Sequence, residues 1–272
     1  MIENSVMIGL IFSVLSALVL PLGMFVYCIF SKKKILKHFI VGVFVFFISQ
    51  MVLRIPIISY ILPNQIWYIK LSTNPYLYGI FLGITAGIFE EVGRYIGFKY
   101  FLKKKHRYID GISFGLGHWG IEALLIVGIN AALFLGGTIA IKSGVDYNSS
   151  DLLSIIFNQS SSMTTVNAFA MGVERLFTMS IHVALSMIVL YGVKSKKIKY
   201  LFIAILIHGM IDAGVVILPQ IFNLSIVSME IYVFIWSLVF LYLILKIKDL
   251  YKNIDNLKYE KQIYDDFMGG EK

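Results

Sequence analysis

Charge is scarce in this chain. Of 272 residues only 15% are Asp, Glu, Lys or Arg, whereas 58% are hydrophobic, and mean hydropathy is +0.81. A water-soluble domain of this size could not hide so much apolar surface, so the composition indicates one helical, polytopic membrane domain. Cysteine is nearly absent. The single Cys28 permits no internal disulfide and lies in an apolar run with no role assigned to it. The opening M-I-E-N-S has no basic stretch and the first apolar run is long enough to span, so no cleavable signal peptide is expected. Proline is rare, and Pro21, Pro56 and Pro219 all stand away from the polar motifs. Two hydrolase signatures are missing as well. Without H-E-x-x-H or a paired G-x-G-D, a helical zinc-protease motif and an aspartyl dyad are not visible.

What is present is a series of long apolar stretches. Seven are long enough to cross a bilayer at about 1.5 Å per residue. They lie near 6–30, 39–60, 75–101, 110–141, 166–193, 199–219 and 226–246, which makes 1–246 one transmembrane domain and 247–272 a charged tail, expected to be a solvated, fraying helix. Aromatic residues make up 15%, as membrane interfaces favour. The connections after the first, third and fifth stretches read S-K-K-K-I-L-K, L-K-K-K-H-R and K-S-K-K-I-K; the opposite ones carry mainly Lys70 and Lys142. This asymmetry places the basic loops and the carboxyl tail in the cytoplasm and the amino terminus outside. It also accounts for the net charge of +8, so a nucleic-acid partner is not needed; membrane lipids are the expected surroundings. The Lys- and Ile-rich composition suggests a bacterial plasma membrane. The polar connection 143–165 contains one apolar island, D-L-L-S-I-I-F, expected as a surface helix or an outer gate.

Eight charged residues stand out within the stretches, Arg54, Arg94, Arg175, Glu90, Glu91, Glu122, Glu174 and Asp212, together with His118, His182 and His208. A charge at the bilayer centre costs about 2.5–3.5 kcal/mol on insertion scales, so these must pair, coordinate or line a wet cavity. Helical spacing supplies partners: Glu90 with Arg94, His118 with Glu122 and His208 with Asp212 are each four apart, and Arg175 and His182 are seven apart. Counted from the basic side, Glu90, Glu91, His118, His182 and His208 lie roughly 12–18 Å deep. Four helices thus bring His or Glu to one layer. Arg54, near the outer end of its stretch, is expected to snorkel, and Glu174 with Arg175 to form a structural ion pair. Gly83, Gly87, Gly93 and Gly97, and Gly111, Gly115, Gly117 and Gly120, have the small-residue spacing of close helix packing.

E-E-V-G-R at 90–94, F-G-L-G-H at 114–118 and H-G-M-I-D at 208–212 occur in order, each on its own stretch. They resemble the three motifs of the CAAX-processing and bacteriocin-processing (CPBP) intramembrane proteases. The fuller pattern, F-E-E-V-G-R, G-H-W-G-I-E-A, E-R-L-F-T-M-S-I-H-V-A-L-S and H-G-M-I-D, is most similar to the YhfC branch of that superfamily, over roughly 80–215. Two departures from the prenyl-protein enzymes are an arginine one residue closer to the glutamates and Asp212 in place of asparagine; prenylated substrates are therefore not implied. The resemblance implies peptide-bond hydrolysis in or near the membrane, with a peptide or membrane-protein substrate. It makes Glu90 the general base and has His118 hold the water. Arg94 orients and neutralises Glu90 or Glu91, and His208 and Asp212 face the oxyanion or a metal. A bare Asp212 carboxylate would repel an oxyanion, so it must be protonated or metal-paired. Three histidines and a carboxylate at one depth, His118, His182, His208 and Glu90, form a reasonable zinc set. Two alternatives stand beside this reading: a proton-coupled carrier that uses the buried groups as a relay, and a catalytically silent scaffold or immunity protein of the same fold.

Overall fold

A computed structural model describes residues 3–103 and 106–269; the first two residues of the opening segment, Lys104 and Lys105 of the second basic run, and the last three residues of the tail lie outside the described residues. The architecture is all-α, and no strand occurs among the described residues. Six helices are long and apolar enough to cross a membrane: α1 (Asn4–Phe30), α2 (Leu36–Asn64), α5 (Tyr108–Lys142), α7 (Thr165–Ser195), α8 (Lys199–Phe222) and the Ile226–Ile254 part of α9. The short helices α3 (Ile66–Ser72) and α6 (Asp151–Ser162) lie between them. The remaining long helix, α4 (Pro75–Ile96), runs on through a π-helical turn at Gly97–Phe101. It is absent from the six because Glu90, Glu91 and Arg94 interrupt its apolar run, although its length is sufficient.

α7 is the hub. Two-thirds (67%) of its apolar window is buried, against 17–39% in the other five spans. Ile181, Val183, Leu185, Met187 and Leu190 anchor the largest core cluster, with residues of α4, α5, α8 and α9 packed around them. The outer faces stay apolar and bare: Phe44, Phe202, Leu206 and Leu245 are all exposed, as lipid contact requires.

Glycine sets how closely two helix pairs approach. A Cβ on Gly83 would lie 2.2 Å from the Gly209 carbonyl oxygen, so α4 and α8 touch backbone to backbone. A Cβ on Gly117 would lie 2.0 Å from the Phe39 carbonyl oxygen, which does the same for α2 and α5. Two of the π-helical turns, Leu15–Val19 and Phe47–Arg54, stand directly before Pro21 and Pro56. Proline supplies no N–H to the preceding turn, and the helix widens there instead of breaking. The second of these turns carries Gln50 and Arg54.

The 143–165 connection forms α6. Ser150 Oγ accepts from the Leu153 amide at its start, and Ile156 packs on Gly137 near the end of α5. At the other end of the chain, α9 continues without a break from Ile226 to Gly269. Ile247 and Tyr251 remain buried, and the Tyr251 hydroxyl donates to the Met187 carbonyl at 3.0 Å. Packing against the membrane domain therefore extends beyond 246.

Candidate active site

The site is built around one carboxylate oxygen. Glu90, Glu91 and Arg94 occupy successive positions on one face of α4, and all three are buried. Arg94 reaches back along the helix, with Nη2 3.2 Å from Glu90 Oε2 and Nη1 donating to Glu91 Oε1. The other helices then converge on Glu90 Oε2. His118 Nε2 of α5 lies 2.9 Å away, His182 Nδ1 of α7 3.9 Å and His208 Nε2 of α8 3.9 Å. The layer expected from counting residues therefore forms.

Hydrogen-bond logic orients the rings. Arg94 can only donate, so the contact of its Nη2 with His182 Nδ1 at 2.8 Å makes Nδ1 the acceptor. The proton of a neutral His182 then sits on Nε2, facing Glu122 Oε2 at 2.9 Å. Glu91 can only accept while ionised, so His208 donates from Nδ1 to Glu91 Oε1 at 2.7 Å. That leaves His208 Nε2 turned toward Glu90 and toward Asp212 Oδ2 at 3.6 Å. His118 is held edge-on by the buried Phe46 ring, with centroids 5.2 Å apart.

Asp212 differs from the rest of the group. Its side chain is 42% exposed, whereas His208 beside it is 5% exposed. The cluster is thus closed on most sides and open at Asp212.

Several partners were not foreseen from the sequence. Gln50 of α2 is buried and donates from Nε2 to Glu90 Oε1 at 2.5 Å. Its Oε1 accepts from Arg54 Nη1 at 3.1 Å, and Arg54 also donates to the Leu82 carbonyl at 2.7 Å and to Thr85 Oγ1 at 3.2 Å. Arg54 therefore turns inward instead of snorkelling: the carbonyl, the hydroxyl and Gln50 use its donors within the protein. The available signal was the four-residue spacing of Gln50 and Arg54, since a polar amide four residues from a guanidinium in an apolar helix shares its face. Arg175 pairs with Glu174, at 2.5 Å, as expected, but also with Glu122 Oε1 at 2.9 Å, which joins that ion pair to His182. Glu230 of α9, an acid the sequence count passed over, has a buried Oε2 with no hydrogen-bond partner among the described residues.

One set of donors suits a cation. Glu90, His118, Glu122 and His182 each offer a nitrogen or oxygen, and these atoms lie within 4.8 Å of one another. Zinc takes about four such ligands at roughly 2.0–2.2 Å. The His118–Glu90 and His182–Glu122 contacts, both 2.9 Å, are imidazole–carboxylate pairs whose facing atoms a cation could share. By donor type the residues fit a zinc-like ion; ligation by His182 would require Arg94 to release its Nδ1, because its Nε2 carries the proton. Three of them belong to the expected ligand set. The fourth expected ligand, His208, is not in this group, and Glu122 stands there instead.

The chain matches the profile of the YhfC intramembrane metalloprotease family over residues 16–235. It belongs to the YhfC family. The match takes in all five helices that build the site. The chain is also 30% identical over 260 residues to the uncharacterized membrane protein YhfC of Bacillus subtilis (strain 168), covering 93% of this chain and all of that protein. No solved structure matches. Membership of the YhfC family and the apolar helices together make this a multi-pass membrane protein.

Proposed function

We propose that this YhfC-family protein is an intramembrane endopeptidase that hydrolyses peptide bonds with water activated at Glu90, within the broader CPBP type of chemistry. The observation that carries the reading is a single buried carboxylate oxygen, Glu90 Oε2, faced by nitrogens of His118, His182 and His208 from three other helices. Packing alone does not call for three imidazoles around one acid, and intramembrane ionisable groups are functional by default.

The roles follow from the bonds. Gln50 and Arg94 hold the two oxygens of Glu90, fixing its plane. Glu90 takes the proton of the attacking water. The water oxygen adds to the scissile carbonyl carbon, and the proton held on Glu90 passes to the leaving amine as the C–N bond breaks. His118 Nε2–H donates to Glu90 and helps fix its orientation. His208, oriented by Glu91, turns Nε2 to the open, Asp212 side, where it donates to the substrate carbonyl oxygen only as the imidazolium, because its Nδ1 proton is committed to Glu91. Asp212 assists there only while protonated, since two anions repel. Glu90, His118, Glu122 and His182 would hold a zinc-like ion, which when bound would polarise the carbonyl and acidify the water.

The test is cleavage of an apolar peptide library by the full chain in lipid nanodiscs, read by mass spectrometry, with metal content measured on the same samples. Wild-type protein is expected to release fragments that the Glu90→Gln variant does not. About one zinc per chain, lost in His118→Ala, is expected in addition. Equal fragments from wild type and Glu90→Gln would overturn the hydrolase reading.

A further inference from the structure

Away from the site, two cavities meet at one side chain. The first, about 430 Å³, lies on the face of the basic loops, between the start of α2 and the end of α4. Lys34, Lys37 and Lys103 line it, with Tyr100 and the buried His38 in its wall. No acidic side chain lines it among the described residues. The second, about 490 Å³, is a groove between α2 and α4 within the apolar layer, lined by residues such as Val45, Ile48, Leu53, Ile88, Val92 and Ile96. Phe101 lines both cavities and is 64% exposed. The π-helical turn Gly97–Phe101 places it there, at the junction of the basic and apolar spaces.

We propose that these two cavities form one binding site for an anionic phospholipid, with its phosphate among Lys34, Lys37 and Lys103 and one acyl chain in the α2–α4 groove. Three lysines without a lining acid select a negative headgroup. Among the described residues no charged group lines the groove, and exposed Ile48, Leu53, Ile88 and Ile96 open it on the lipid-facing side, so it selects a hydrocarbon chain. The continuity at Phe101 makes the occupant amphiphilic, which a free phosphate compound is not. Basic pockets between membrane helices have this chemistry in general. Neighbouring basic residues elsewhere, such as Lys99 and Lys196 beside Tyr95, lack the adjoining apolar groove. The site is independent of the hydrolase reading: it shares no residue with the Glu90 cluster, although Ser49 and Gly93 in the groove wall adjoin Gln50 and Arg94.

The experiment is native mass spectrometry of the full chain released from detergent, titrated with phosphatidylglycerol, with phosphatidylcholine, and with phosphatidylglycerol in excess inorganic phosphate. Three proteins are compared: wild type, Lys34→Ala/Lys37→Ala/Lys103→Ala, and Leu53→Trp/Ile88→Trp, which fills the groove from two exposed positions. Thermal unfolding confirms that each variant folds. Wild type is expected to retain one phosphatidylglycerol and to prefer it over phosphatidylcholine. Each lysine near an anionic headgroup contributes about fivefold, so the triple variant should bind at least about tenfold more weakly. The groove variant should also lose the lipid. Equal retention of the two lipids, or no effect of the lysine changes, would reduce the site to general boundary lipid and overturn the proposal. Competition by inorganic phosphate with no effect of the groove variant would assign the pocket to a soluble phosphate compound and overturn it equally.

Discussion

Two buried carboxylates on neighbouring helices, Glu90 and Glu122, meet different surroundings. Glu122 is tied to Arg175, a permanent cation, through one oxygen and to His182 through the other, and Arg175 is closed off by Glu174. Glu90 also has an arginine, but three imidazoles surround its Oε2, and the half-exposed Asp212 lies just beyond His208. A guanidinium never gives up its proton, whereas an imidazole nitrogen can donate or accept one. On the proposed reading the Arg175 end therefore holds helices together and the Glu90 end moves protons. His182 touches both, with Nδ1 toward Arg94 and Nε2 toward Glu122.

The contrast is sharpest in Glu90→Gln. Removing the base should lower the rate of peptide hydrolysis by about 10²–10⁴ while the thermal unfolding temperature in detergent falls less than in Arg175→Met, because an amide still fills the space and Arg94 keeps Glu91. Arg175→Met should do the reverse. It leaves Glu122 and Glu174 without their cation and should cost about 3–5 kcal/mol of stability, seen as a lowered unfolding temperature. Adding Glu122→Gln should restore part of it; no recovery in the double variant would break the assignment of a structural role. Gly83→Ala tests whether helix approach sets the site. Its methyl would collide with the Gly209 carbonyl, and overpacking of this kind costs about 1–3 kcal/mol. Because Glu91 and His208 sit on those two helices, hydrolysis should fall together with stability. The smallest effect is expected from Gln50→Leu. Losing one donor to Glu90 should reduce kcat about tenfold with KM unchanged, as positioning predicts; a change in KM alone would place Gln50 at the substrate instead.

Much of the site was legible because helix periodicity is rigid. E-E-x-x-R on one helix and a histidine at similar depth on three others can be read from spacing alone, at 1.5 Å per residue. Arg54 shows where that stops. Its position along the helix can be counted, but that position does not give direction. The rotation of α2, widened ahead of Pro56 and pressed against α5 at Gly117, turns Arg54 and Gln50 inward. Glu122 shows the same limit. Its spacing from His118 indicated a shared face, yet it meets His182 on another helix. Glu230 escaped because a lone acid near a helix start has no periodic partner to draw attention to it.

The amino-acid sequence by itself determined that the chain is helical and membrane-embedded, and which residues lie in the charged layer. Hydrophobic length and helical pitch are local properties, and both can be counted along one strand of sequence. Only the tertiary structure decided which nitrogen faces which oxygen: that His208 is tied to Glu91, that Glu122 joins His182 to Arg175, and that Gln50 caps Glu90. Those contacts depend on how each helix is rotated about its axis and how closely its glycines let it approach its neighbours, and both are settled by packing between segments far apart in the chain.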